Sequence, residues 1–368
     1  MYRVLDFTRV LAGPWATQIL GDQGFDVVKI EGLTGDETRA FLPLVDGESV
    51  YFACTNRNKR SVVVDLKHPE ALTLVRRLVA GVDVVMENFR PGVMDRLGLG
   101  YDALAANNPG LVYVGISAFG GETEGWADRA GYDLVVQSVG GIAALTGDPP
   151  MKAGPSIADL ASAQVAVQAV LFALLERGKT GRGKRVDIRM IDVAHHLLAF
   201  YASAWINAGR APPPPSNRHP SIAPYNLYRC ADGWLAVCCA NDPLWEKLRG
   251  VLGLPGGGWA TITERVADRD RLDRAIEAVL GTDATAAWEA RLAAVGVPCG
   301  PALSVQDALE HPLAQRISAG PWSFPAPPLA PLQLRPPPGL GEHTDQVLVE
   351  AGLSPGEIGQ LRARGVIA

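Results

Sequence analysis

The chain has 368 residues, 48% hydrophobic and 20% charged, with a formal net charge of −5. That length accommodates two domains and a core able to bury catalytic groups. The acidic balance argues against nucleic acid as a partner, and five cysteines without a CxxC spacing argue against a disulfide framework or a zinc site.

The opening MYRVLDFTRV breaks its apolar residues with charge and leads into no signal-type run, so a cytoplasmic protein is expected. RVLDF reads as a short strand, and PWATQILGDQG as a helix with Pro14 in its first turn. DVVKIE and SVVVDL are strands. HPEALTLVRRLVAG predicts a helix with Leu72, Val75, Leu78 and Val79 on one face and Gly81 behind it. VDVVMEN and LVYVGIS are again apolar strands. Repeated β-α units of this kind predict an α/β fold with a largely parallel sheet covered on both faces.

The longest apolar run, GPSIADLASAQVAVQAVLFALLERG, is interrupted by Gln164 and Gln168 and falls short of a membrane span. A buried helix is expected there, and no membrane partner. After KRVDIRMID and a helix through Trp205, the proline-rich GRAPPPPSNRHPSIAPY marks a domain boundary, with a first part at 1–205 and a linker at 206–224. Residues 225–312, with the strand GWLAVCC and several helices, suffice for a small α+β domain. The segment 313–368 holds a second proline-rich passage and a tail whose last helix takes Ser354 as N-cap and Pro355 as first residue.

Several chemistries find no foothold. ERGKTGRGKR resembles a phosphate loop, but Ala173 stands where the first glycine is required, and the segment joins helix to strand instead of strand to helix. No GxGxxG follows the first strand, and no GxSxG elbow exists. His195 and His196 are adjacent on a helix and point to different faces, so they form no metal pair. No metal site is expected.

Asp159, at the head of that long apolar run, admits two readings. With Ser156 three residues before it, it resembles a capping box, and an acid in the first turn complements the helix dipole. Alternatively it is a nucleophile. An unperturbed carboxylate (pKa ~3.9) is ionised at neutral pH and needs no general base, and Ala158, Ala161 and Ser162 leave room for a ligand.

An ordered set of stretches bears on this choice. VLDFTRVLAGPWATQILGDQGFDVVKIEG, GDETR, NRNKRSVVVDLKHPEA, ENFRPGVMDRLGLGYDAL, RAGYDLVVQSVGGIAALTG, GPSIADL, NRHPSIAPYNLYRCADGW and GLGEHTDQVLVEAGLSPGEI together resemble the class III coenzyme A transferases. The resemblance runs from about residue 3 to the C-terminus. It implies a Rossmann-like large domain built from both chain ends, with 313–368 returning to it, and a homodimer of interlocked rings. It implies no tightly bound cofactor, coenzyme A being carried by the substrates. Asp159 falls on the family nucleophile, which passes the acyl and CoA groups through aspartyl anhydride and aspartyl-CoA thioester intermediates to a carboxylic or dicarboxylic acid. Coenzyme contacts carry over to Leu11, Ala12, Val64, Lys67, Asn88, Phe89 and Arg96, and to Tyr132 and Asp133 beside the nucleophile.

Two departures stand out. Gly32 occupies a position where formyl-CoA transferase has an arginine, and RHPSIAPY replaces that enzyme's glycine-rich loop, so His219 and Tyr225 become candidates for the acyl pocket. The related α-methylacyl-CoA racemases have a histidine in the block that here reads AGYDL. Tyr132 stands there instead, and a tyrosine of pKa ~10 is a poor base at neutral pH. An intramolecular CoA shift would use the same acid. The remaining alternatives are a non-catalytic CoA-binding protein and a dehydrogenase.

Overall fold

The computed structural model describes residues 1–127, 129–255 and 257–368. The first β-α unit is β1 (Arg3–Asp6) followed by α1 (Ala12–Asp22), then β2 (Asp26–Glu31). Helix α2 (Val50–Asn56) leads into β3 (Lys59–Val63), and α3 (Ala71–Val79) into β4 (Val84–Glu87). There follow β5 (Val112–Ser117), α4 (Asp133–Val139), α5 (Ile157–Thr180), β6 (Arg185–Arg189) and α6 (Met190–Leu197). Within α3 the buried face is Ala71, Leu74, Val75, Leu78 and Val79, with Leu74 in place of the expected Leu72.

The six strands form one sheet in the order β3-β2-β1-β4-β5-β6, and every pairing is parallel. Valine-rich strands suit this arrangement because both faces are covered. Alternate residues divide between two cores. Leu5, Val28, Val62, Val85 and Tyr113 pack with α3 and the C-terminal residues Val347 to Ile367. Val4, Val27, Val84, Val112 and Val114 pack with α1, α5 and α6. The order reverses between β1 and β4, where the loops beyond the strands' carboxyl ends part to leave a crevice, the usual place for a ligand in such a sheet.

Charged residues are buried in quantity beneath the β1–α1 loop. Lys59 Nζ donates to Asp6 (3.1 Å), Asn56 Oδ1 (2.8 Å) and the Pro14 carbonyl (3.0 Å). Lys29 Nζ donates to the Thr8 carbonyl (2.7 Å) and to Asp36 (2.9 Å), whose other oxygen accepts from Thr38 and, at 3.4 Å, from the Val10 amide. Burial alone would raise the Asp36 pKa, but Lys29 and the Thr38 donors outweigh it and hold it at about 2. The loop they grip carries Val10 at φ 68°, a strained conformation for a β-branched residue. Every member of the NRNKR block is buried. Arg57 binds Asp22, Arg60 binds Asp26 and Glu350, and Asn58 pairs with the backbone of Arg335 on the returning C-terminal segment.

Helix α5 departs from expectation. It runs 24 residues and is long and apolar enough, by length and composition, to cross a membrane. It is not wholly buried either. Ala158, Ala163, Ala166 and Val170 enter the core, whereas Leu171, Phe172 and Leu175 are exposed. It ends at Gly181 in the left-handed conformation, so ERGKTGRGKR is a helix terminus and turn.

The chain divides into two compact units, the first comprising Met1–Ala144, Pro150–Ala202 and Gln315–Ala368, the second Leu145–Pro149 and Ser203–Ala314. In the second, an antiparallel sheet in the order Cys299–Pro301, Trp234–Cys238, Tyr225–Arg229 packs on helices around Trp245, Trp259 and Trp288. Ser354 caps the last helix as predicted, in a complete capping box with Glu357 and with Pro355 as its first residue.

Candidate active site

A cavity of about 270 Å³ opens at the crevice. Its floor comes from the β1–α1 loop (Arg9 to Ala12), its sides from Asn88 to Pro91 after β4 and Ile116 to Gly120 at the end of β5, and Asp159 lines it. Asn88 joins two of these walls: its side chain accepts from the Arg9 amide (2.8 Å) and donates to the Arg9 carbonyl (2.7 Å). That clasp fixes the loop against the end of β4 across the point where the strand order reverses.

Asp159 lies in the first turn of α5, but the local capping box does not form, because Ser156 makes no side-chain cap. The cap comes from elsewhere in the chain. Asp133, at the start of α4 and 5% exposed, accepts from the amides of Ala158 (2.9 Å) and Asp159 (3.4 Å) through Oδ1. Its Oδ2 accepts from Gln137 Nε2 (2.7 Å) and lies 3.7 Å from Lys152 Nζ. The carboxylate of Asp159 itself accepts no hydrogen bond among the described residues.

This arrangement bears on the expectation of an unperturbed carboxylate at Asp159. Two amide donors of the helix N-terminus are committed to Asp133. Burial first, and the charge of Asp133 second, push the Asp159 carboxyl up to about 7 against the opposing pull of Lys152. Burial and the Asp159 charge likewise push the Tyr51 phenol up to about 12.

The other expected site residues are distributed as follows. Leu11, Ala12, Asn88, Phe89 and Tyr132 line the Asp159 cavity. Val64, Lys67 and Phe89 line a second cleft of about 610 Å³, together with Gly32 to Asp36. Arg96 is exposed and lines neither, although Val93 and Leu97 on either side of it line the second cleft. Asp133 is buried, with both oxygens engaged inside the protein. His219 and Tyr225 belong to the second unit, where their rings lie 5.4 Å apart.

Sequence reasoning passed over Arg9 and Arg90. Both line the cavity and the second cleft alike, and the Arg9 guanidinium sits 4.8 Å over the Phe89 ring. They bring positive charge to the cleft that Gly32 leaves without a side chain. Each lies inside a stretch already singled out, FTRV and ENFRPG, so the signal was present but undifferentiated from a solvated arginine.

A family model described as CoA-transferase family III matches residues 2–319. The chain is 38% identical to a succinate–glutarate CoA-transferase of Agrobacterium fabrum over 95% of this chain and 94% of that protein. It is also 38% identical to an acetyl-CoA:oxalate CoA-transferase of Acetobacter aceti, over 84% and 82% respectively. The crystal structure of a CAIB/BAIF family protein from Brucella suis superimposes with a TM-score of 0.85 at 37% identity, covering 95% of this chain and 98% of that one.

Proposed function

This chain belongs to CoA-transferase family III, an enzyme family that moves coenzyme A between an acyl-CoA and an acid, and on that premise we propose that Asp159 is the nucleophile of the transfer. The observation that carries the reading is a carboxylate, unbonded among the described residues, facing a cavity at the reversal point of the sheet.

The Asp159 carboxylate attacks the donor thioester carbonyl and expels CoA thiolate, leaving a mixed aspartyl–acyl anhydride. The thiolate attacks the aspartyl carbonyl, releasing the donor acid and forming an aspartyl-CoA thioester. The acceptor carboxylate then attacks that thioester to give a new anhydride and thiolate. Attack of the thiolate on the acceptor acyl carbon yields the new acyl-CoA and returns Asp159. Each step exchanges one activated acyl bond for another, so no external energy source enters.

Coenzyme A extends from the larger cleft into the Asp159 cavity. Val64 and Lys67 meet its nucleotide, Arg9 and Arg90 its phosphates, and Phe89, common to both spaces, the pantetheine arm. Leu11, Ala12 and Tyr132 flank the reacting end. The acyl partners are small carboxylic or dicarboxylic acids. The relatives' names span this class, and Arg9, Arg90 and Arg129 around the cavity suit its dicarboxylate members. The chain works as a homodimer, for which the exposed apolar face of Leu171, Phe172 and Leu175 on α5 provides a contact surface. We place it in the cytoplasm, where its five free cysteines stay reduced.

The test is intact-protein mass after incubation with a panel of acyl-CoAs, followed by hydroxylamine. A hydroxamate on Asp159, absent from Asp159→Asn, is the expected result. Protein that binds coenzyme A but yields no adduct with any donor would remove Asp159 from this role.

A further inference from the structure

The first turn of α5 is held by a residue that is neither local to it nor in contact with the cavity. We propose that Asp133 is the positioning residue of the nucleophile, fixing the backbone of Asp159 and keeping its carboxylate unbonded and available.

The geometry gives three reasons. First, Asp133 Oδ1 takes the amides of Ala158 and Asp159, donors that would otherwise turn toward a carboxylate in their own turn. The Asp159 side chain is thereby left without that partner and lines the cavity. Second, Asp133 is itself held. Gln137, fully buried, donates to Oδ2 and accepts from the Ala153 amide at 2.9 Å, tying α4 to the segment entering α5. Third, Asp133 does not line the cavity, so it would reach a bound substrate only through the residues it holds.

Its charge also acts on the nucleophile, in opposition to Lys152, whose Nζ is bound to the carbonyls of Ala153 and Gly154. Tyr51 is the third titratable group that senses Asp159 from the packed elements. From the cavity walls the charged and titratable groups are Arg9, Glu37, Arg90, Arg129 and Tyr132. Among all of these, Asp133 and Lys152 are the two that bias Asp159, and they do so with opposite sign.

This inference rests on Asp159 being the nucleophile, which the wild-type hydroxamate tests by itself. Given that adduct, its single-turnover formation from succinyl-CoA is followed against pH for wild type, Asp133→Asn and Lys152→Met. Because the carboxylate is the reactive form, wild-type rates rise through about pH 7. Asp133→Asn should lose about tenfold or more at the plateau and move the rising limb down by about one pH unit. Lys152→Met should move the limb upward. A residue with a purely structural part would lower the rate or the melting temperature and leave the limb in place. Limbs that coincide in all three proteins would overturn the proposal. Should Asp133→Asn fail to fold, Gln137→Leu, which removes the donor that holds Asp133 Oδ2, takes its place, and a rate and limb that match wild type there sink the idea as well.

Discussion

Replacing Asp159 with asparagine should make the protein more stable, and more so as the pH rises. The carboxyl's pKa is raised from its ordinary 3.8 to about 7 in the folded chain. An acid with a raised folded pKa destabilises the fold once it must ionise, so its cost grows between about pH 4 and pH 7 and is constant above. At 1.36 kcal/mol per tenfold change, the ceiling is about 4 kcal/mol. Asp159 retains some exposure, which screens the charge and brings the expected effect to about 2 kcal/mol. Asparagine fills the same space without the charge. Thermal unfolding without coenzyme A should therefore show Asp159→Asn melting about 4–8 °C above wild type at about pH 8, with a smaller gap at about pH 5. A gap that ignores pH, or a variant that melts lower at about pH 8, would refute the reasoning.

Two further outcomes are expected. Lys29→Met strands the Asp36 carboxylate in a site where the Lys29 and Asp36 side chains have no exposure, and should cost about 3–5 kcal/mol in denaturant unfolding; a loss below about 1 kcal/mol would mean that water or a rearranged partner compensates. Phe172→Glu places a charge on the exposed apolar face of α5 and should convert a dimer into monomers in sedimentation; a wild-type chain that already sediments as a monomer would end the dimer proposal.

What the sequence disclosed and what it withheld divide along a physical line. Valine-rich runs such as VDVVMEN announce strands because burial on both faces demands them, and Ser354 announces its helix because a capping box is a contact across three residues. Both are local. The order of the strands is not, and with it goes the crevice between β1 and β4. Asp159 was legible as a candidate, but its environment was not. The rule that pairs Ser156 with Asp159 looks three residues ahead, whereas the actual cap, Asp133, stands 26 residues before Asp159 in sequence and reaches it only through the packing of α4 on α5. Lys29 and Lys59 were hidden for another reason. A lysine within a strand reads as a solvent-facing residue until a carboxylate from another strand or loop is found beside it. Helix α5 looked too short to span a bilayer because its polar residues were read as breaks, although glutamine does not stop a helix.

The raised Asp159 pKa has a consequence for the proposed chemistry that goes beyond a pH optimum. In the proposed four-step exchange this carboxylate would serve in turn as nucleophile and as acyl carrier, with the thiolate of coenzyme A attacking and leaving between those turns. A carboxylate near pKa 4 leaves far more readily than a thiolate near 8.5, so the anhydride would sit well above the thioester in free energy. An environment that makes the Asp159 carboxylate more basic narrows that gap from the carboxylate side. The same burial that destabilises the free protein thus strengthens the nucleophile and evens out the sequence of intermediates. Lys152 sets a limit on this, because a carboxyl raised much further would stay neutral and unreactive at physiological pH. On the proposed mechanism, the opposed charges of Asp133 and Lys152 balance the basicity of Asp159 against its ionisation, and a site with only one of them would favour either attack or ionisation at the expense of the other.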